Sequence, residues 1–303
     1  MSPVLLALAP VFGLVLFGYG LRRINFPGDG FWPVSERLTY YVLFPALLLS
    51  GLSGRQFDGG ALGLAAVLFG AVCLVAVGLW GLRSKLGMSG PAFSSMFQGA
   101  IRPNTYVGLS AAAAFLGPDW MTLSAAALLT LVPLVNVLCV LVLARCGDGD
   151  GGVGRVLIEL ARNPLILACV GGIALNWLGW RLPDAIHSWL ATLGQAALPL
   201  GLLAVGAGLR FAEIGQRFRP TAVASLAHLV VLPLAAWTLS WPLGLDPTAR
   251  TAALIYTAIP VSVSAFILAR QMGGDHKAMA VIITVQTMLS AATLPLILWT
   301  LGG

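Results

Sequence analysis

The sequence predicts an all-α polytopic membrane protein: ten transmembrane helices arranged as two inverted five-helix repeats, with helices 4 and 9 broken near mid-membrane. Three observations carry this prediction. Of 303 residues, 58% are hydrophobic and only 9% charged, where an ordinary soluble domain has about 25% charged residues. So few charges cannot cover a water-exposed surface, which excludes a soluble enzyme. Ten apolar stretches each approach the ~20 residues that a helix needs to cross hydrocarbon. Finally, prolines recur at a common offset in the two halves of the chain.

The apolar stretches run over 3–21, 35–53, 60–82, 92–116, 120–144, 156–178, 184–208, 220–242, 249–270 and 277–300. No basic segment precedes the first and no small-residue cleavage site follows it, so it reads as a retained helix rather than a signal peptide. The longest polar break, rich in Gly and Asp, divides the chain into a first repeat (1–146), a linker (147–155) and a second repeat (156–303). The four cysteines, Cys73, Cys139, Cys146 and Cys169, show neither metal-ligand spacing nor a disulfide framework.

A net charge of +6 would point to nucleic acid in a soluble chain. Here the basic residues occupy short loops, where they report topology instead. Loops after odd-numbered spans hold Arg22, Arg23, Arg37, Arg83, Lys85, Arg145, Arg155, Arg162, Arg210, Arg217, Arg219, Arg270 and Lys277; loops after even-numbered spans hold only Arg55, Arg181 and Arg250. Lys and Arg concentrate on the cytoplasmic side. The expectation is a multi-pass protein of the cytoplasmic (inner) membrane with both termini outside and the linker inside.

The repeat is read from proline. Pro10 and Pro45 are 35 residues apart, as are Pro164 and Pro199; with Pro103 and Pro260 the three offsets are 154, 154 and 157. The run Phe44-Pro-Ala-Leu-Leu-Leu49 aligns weakly with Leu198-Pro-Leu-Gly-Leu-Leu203. Among 18 prolines equal spacings also arise by chance. If the repeat is real, each unit has five spans, an odd number, so consecutive units lie in opposite orientations. That architecture belongs to secondary transporters, whose sites form where helices break near the midplane.

Two breaks are candidates. In span 4, Pro103 removes a backbone donor and clashes with the preceding turn, and Asn104 and Thr105 are natural caps for a new half-helix. Arg102 lies ten residues beyond Ala92, ~15 Å deep at helical rise. In span 9, Pro260 falls at similar depth. Two half-helices starting there would aim N–H groups and positive dipole ends into one cavity, a site for an anion; alternatively each proline only kinks a continuous helix. Arg102 at a span centre costs about 2.5–3.5 kcal/mol on insertion scales, yet no span interior holds an Asp or Glu. It either snorkels or pairs with Glu159 or backbone carbonyls, or its partner is the transported anion. The missing carboxylates argue against a carboxylate proton relay. His228 has the one side-chain type that titrates near neutral pH, although a lone histidine in an apolar helix is commonly structural. Ser50, Asn136, Ser262, Ser264 and Gln286 are further candidates to line a cavity. No enzyme constellation, metal cluster or phosphate loop is present, so neither a cofactor nor a metal is expected.

These residues resemble the auxin efflux carrier family, which includes bacterial permeases for small organic acids and plant PIN-type carriers. The likeness is carried by Ile259-Pro-Val-Ser-Val-Ser-Ala-Phe-Ile-Leu-Ala-Arg-Gln-Met-Gly-Gly-Asp275, by Pro103-Asn104-Thr105, Arg162-Asn163-Pro164 and Phe44-Pro45, and by the last span through Thr293-Leu-Pro295. The chain departs from the family at Arg102, where an apolar or small residue is usual, and lacks a Gly-x-Pro after the Asn-Thr pair. The resemblance implies that spans 4 and 9 cross and that a small organic anion, auxin-like or a short carboxylate, binds at the crossing. It further implies a scaffold of spans 1, 2, 6 and 7, with the other six moving against it as an elevator by alternating access. Pro103, Asn104 and Pro260 carry over best, with Arg102, Thr105, Tyr106, Val261, Ser262, Ser50, Asn136 and Gln286 as the remaining substrate-binding candidates. The expected partners are the anion and the lipid bilayer, not nucleic acid; a homodimer stays open. Competing readings are a sodium-coupled symporter of the bile-acid type, whose usual carboxylate ligands are missing here, and a membrane sensor without transport.

Overall fold

The computed structural model describes residues 3–53, 60–147, 162–210 and 217–302; the linker beyond Gly147 and Glu159 lie outside the described residues. The elements are α1 (Pro3–Arg23), α2 (Phe31–Leu38), a π-helical segment (Thr39–Leu43), α3 (Phe44–Leu52), α4 (Gly60–Gly81), α5 (Arg83–Leu86), α6 (Gly90–Ile101), α7 (Thr105–Phe115) and α8 (Trp120–Cys146). After the linker come α9 (Pro164–Trp177), α10 (Asp184–Gln195), α11 (Ala197–Ala207), α12 (Phe218–Leu226), a second π segment (Ala227–Val231), α13 (Leu232–Ser240), α14 (Pro247–Ala258), α15 (Ser264–Gln271) and α16 (His276–Leu301). The described residues form no strand; the one extended pairing is a bridge between Pro103 and Val261. This is an all-helical, polytopic membrane protein.

Among the described residues, six helical stretches are long and apolar enough to cross a bilayer unaided: Leu6–Arg23, Gly60–Gly81, Gly117–Cys146, Asp184–Ala207, Phe218–Ser240 and His276–Leu301. The other apolar stretches are segmented for reasons written in the sequence. Arg102 and Ile259 leave the helical conformation just before Pro103 and Pro260, because proline disfavours α geometry in the residue ahead of it. Starts are marked by caps: Asn163 Oδ1 accepts from the amides of Leu165 and Ile166 ahead of Pro164, and Asp246 does the same ahead of Pro247. Proline at the first helical position loses nothing, since its N–H would be an orphan there.

Pro45 and Pro233 do not break their helices. One turn before each, the chain widens into a π turn, so the amide of Phe44 reaches back to the Thr39 carbonyl and that of Leu232 to the Ala227 carbonyl. The wider turn gives the proline ring room beside carbonyls it would otherwise strike.

Contacts fall into two groups. α1 lies along α11, and α3 packs on α9 and α10; separately, α4, α6, α8, α12, α13, α14 and α16 pack on one another. α7 packs on α8 and also touches α1 and α11, and the groups meet as well where α8 touches α3 and α9 and where α16 touches α1. On α7 the Tyr106 ring stacks on Phe44 with centroids 4.7 Å apart. The α1–α11 contact depends on two glycines: a Cβ on Gly18 would strike the Leu203 carbonyl, and one on Gly206 the Val15 carbonyl. Small residues permit such backbone approach between membrane helices. Gly206→Val should therefore destabilise the protein by about 1–3 kcal/mol through overpacking, read as a lowered melting temperature in detergent; an unchanged melt would show that α1 and α11 separate freely.

Candidate functional site

The two broken helices meet back to back. α6 ends at Ile101, Arg102 is extended (φ −100°, ψ 95°), and α7 restarts at Thr105. On the other side α14 ends at Ala258, Ile259 is extended (φ −69°, ψ 156°), and α15 restarts at Ser264. The two gaps pair like a fragment of antiparallel sheet. The Asn104 amide donates to the Pro260 carbonyl at 2.8 Å, and the Ser262 amide donates to the Arg102 carbonyl at 3.0 Å. Each gap thus satisfies peptide groups that the other exposes, as a low-dielectric interior requires.

Side chains complete the closure. Asn104 caps α7, its Oδ1 accepting from the amides of Tyr106 (3.1 Å) and Val107 (3.4 Å). Gln286, on α16, spans both breaks: Oε1 accepts from the Val261 amide at 3.0 Å and Nε2 donates to the Gly99 carbonyl at 2.8 Å. His228, in the second π segment, places Nδ1 2.9 Å from the Ala100 carbonyl oxygen and Nε2 2.7 Å from that of Ile259. The helix ends therefore sort by sign. The negative, C-terminal ends of α6 and α14 point toward Gln286 and His228; the positive ends of α7 and α15 begin beyond the crossing.

In front of the crossing opens a cavity of about 550 Å³. Its lining includes Arg102, Pro103, Thr105, Ser262 and Ser264 from the breaks, Asn136 and the apolar Leu128, Leu131, Val132 and Val135 from α8, Tyr256 from α14, Tyr40 and Tyr41 from the first π segment, and Arg162 and Asn163 at the start of α9. Arg102 donates through one Nη to Ser264 Oγ at 3.3 Å, and Ser264 Oγ lies 2.9 Å from Ser262 Oγ. The other Nη of Arg102 is buried with no hydrogen-bond partner among the described residues. Two guanidinium groups and no carboxylate line this cavity among the described residues, so it favours negative charge. Few backbone donors assist them, since the amides of Asn104, Tyr106 and Val107 are already used.

Of the residues singled out from sequence, the cavity gathers Arg102, Pro103, Thr105, Asn136, Ser262 and Ser264. Asn104, Pro260, Val261 and Gln286 form the crossing behind it. Tyr106 faces Phe44 across the group boundary. Ser50 lies apart, its hydroxyl donating to the Ala46 carbonyl one turn back in α3. Arg162, Asn163, Tyr40, Tyr41 and Tyr256 join the lining in addition to the candidates read from sequence. A signal existed for the first two: Arg162-Asn163-Pro164 has the same three residue types as Arg102-Pro103-Asn104, an arginine beside a capped helix start.

Residues 153–298 match the family described as "Membrane transport protein". The chain is 24% identical to a Rhizobium meliloti (strain 1021) protein named "Putative malonate transporter", across 94% of this chain and 91% of the relative. It is also 24% identical to an "Uncharacterized transporter" of Methanothermobacter thermautotrophicus, across 93% of each.

Proposed function

We propose that the chain belongs to the auxin efflux carrier family of membrane transport proteins and that it is a secondary carrier moving a small organic anion by alternating access at the crossing. The observation that carries this reading is the cavity itself, with the Arg102 guanidinium set against the paired breaks and Arg162 in the same lining. Two arginines suit a dicarboxylate better than a monocarboxylate, because each planar fork can grip one carboxylate. Malonate, in the name of the Rhizobium meliloti relative, is therefore the first compound to test.

The segmented helices fit ten spans: α1; α2–α3; α4; α6–α7; α8; one ending in α9; α10–α11; α12–α13; α14–α15; and α16. Spans 4 and 9, five apart, are the broken pair, which favours two inverted repeats divided at the linker. The two packing groups coincide with spans 1, 2, 6 and 7 against the remaining six, which supports a scaffold and a moving body that slide past each other. Orientation follows the basic loops. Exposed tryptophans mark both membrane interfaces: Trp177, Trp180, Trp189, Trp241 and Trp299 at the even-loop side, and Trp80 at the odd-loop end of α4. A reporter active only in the periplasm should be active when fused after Gly303 and silent at Gly151; the reverse pattern would overturn both the orientation and the loop assignments.

The function is tested in proteoliposomes loaded with unlabelled malonate and given labelled malonate outside, in sodium-free buffer. Counterflow that unlabelled malonate suppresses and acetate suppresses less is the expected result. Uptake that appears only with sodium would favour a sodium symporter, and no uptake under either condition would remove malonate as substrate.

A further inference from the structure

His228 is the only histidine deep in the fold, and its two hydrogen-bond contacts pose a chemical problem. A neutral imidazole has one N–H donor and one bare nitrogen that can only accept. Here both ring nitrogens face carbonyl oxygens, Ala100 at 2.9 Å and Ile259 at 2.7 Å. Neither oxygen can donate, so in the neutral form one contact sets a lone pair against a lone pair. Only the imidazolium satisfies both. These carbonyls also belong to the C-terminal ends of α6 and α14, where two negative dipole ends converge and a cation is stabilised.

We propose that His228 is a proton-binding site that sets the crossing: protonated, the ring clamps the ends of α6 and α14 together; neutral, it holds one and releases the other. This rests on the carrier reading and deepens it, since a proton bound there would travel in the same cycle as the anion. The π turn is what aims the ring, for His228 lies in its second position. A polar track leads to it. Ser225 and Thr221 precede it by one and two turns of α12, both buried and both with hydroxyls lacking a partner among the described residues. Buried hydroxyls of this kind recruit water, and a hydrated track toward the start of α12 would deliver the proton. There Arg217 and Asp275 form an ion pair at 3.4 Å.

Among the described residues packed on the π segment, no acid competes for the proton. The elements packed on the π segment are α6, α14 and α16, besides α12 and α13 on its own helix. α6 and α13 carry no ionisable side chain. α14 carries Tyr256, in the cavity wall, and Arg250, stacked on Trp241. α16 carries His276, edge-on to Phe266, and the exposed Lys277, and α12 carries Arg219 near its start.

The chain has three histidines, so the double variant His187→Gln, His276→Gln leaves His228 alone for solid-state NMR of nitrogen-15-labelled protein in liposomes. Between about pH 3 and pH 8, a range wide enough for a buried imidazole to change charge, the ring should pass from two N–H nitrogens to one. A ring whose protonation stays the same across that range, in either form, overturns the proposal. In the liposome assay, wild-type malonate uptake should fall by about tenfold over the same range, and any rate that His228→Gln retains should lack that fall; an equal fall in the variant also overturns it. Should wild-type protein move no malonate at any pH, the substrate assignment fails while the NMR titration still decides His228.

Discussion

Arg102→Ala should weaken malonate binding by about 1.5–3 kcal/mol, the value of a hydrogen bond to a charged group, which is roughly ten- to hundredfold in Kd. Arg102 donates to Ser264 Oγ, lies by the Cys139 thiol and leaves one Nη unpartnered, with no carboxylate in the cavity lining among the described residues, so its removal should leave folding intact. Arg102→Lys should bind at intermediate strength, keeping the charge but losing the planar fork. The competing arrangement pairs Arg102 with Glu159. In that case Arg102→Ala strands a buried acid and lowers the melting temperature, and adding Glu159→Ala restores it. Calorimetric affinity and melting temperature on the three variants separate the cases: unchanged affinity with lowered stability would take Arg102 out of the site.

Gln286→Leu should be the most destabilising of the substitutions considered. It leaves the Val261 amide and the Gly99 carbonyl buried without partners, at about 1–3 kcal/mol each, against a total stability of typically 5–15 kcal/mol. Gln286→Glu should fall between. An ionised carboxylate still accepts from Val261 but cannot donate to Gly99. Loss of folded protein in size-exclusion chromatography, or a melting point far below wild type, is the expected reading. A Leu variant that melts like wild type would mean that the breaks close without the amide.

The breaks, their caps and the odd charge beside them were legible in the sequence, because proline, asparagine and a mid-span arginine each have one strong local consequence. Asn104 was expected to cap a half-helix and does so. Less legible was which polar side chain faces the cavity. Gln286 and Ser50 were candidates to line it, but Gln286 serves the crossing and Ser50 bonds back onto its own helix. For Ser50 the reason is general, since a helical serine readily returns its hydroxyl to the carbonyl one turn back. For Gln286 the clue was available: two breaks expose peptide groups of both kinds, and a neutral amide can answer a donor and an acceptor at once. The tyrosines were hidden for another reason. Tyr40 and Tyr41 reach the cavity from a π turn, which shifts the helical phase and so changes which face looks inward; only the proline that follows hints at it. Tyr256 lies where the crossing angle of two helices places it, and no local pattern encodes that angle.

The two bonds that join the gaps run from peptide to peptide, Asn104 to Pro260 and Ser262 to Arg102, and so are indifferent to the lettering of the cavity walls. Val132, Val135 and Asn136 on α8 and Tyr40 and Tyr41 opposite can change in size and polarity without loosening the frame that holds them. Such a division of labour suits one frame to a repertoire of cargoes: the backbone keeps the joint, while replaceable panels decide which molecule fits beside it.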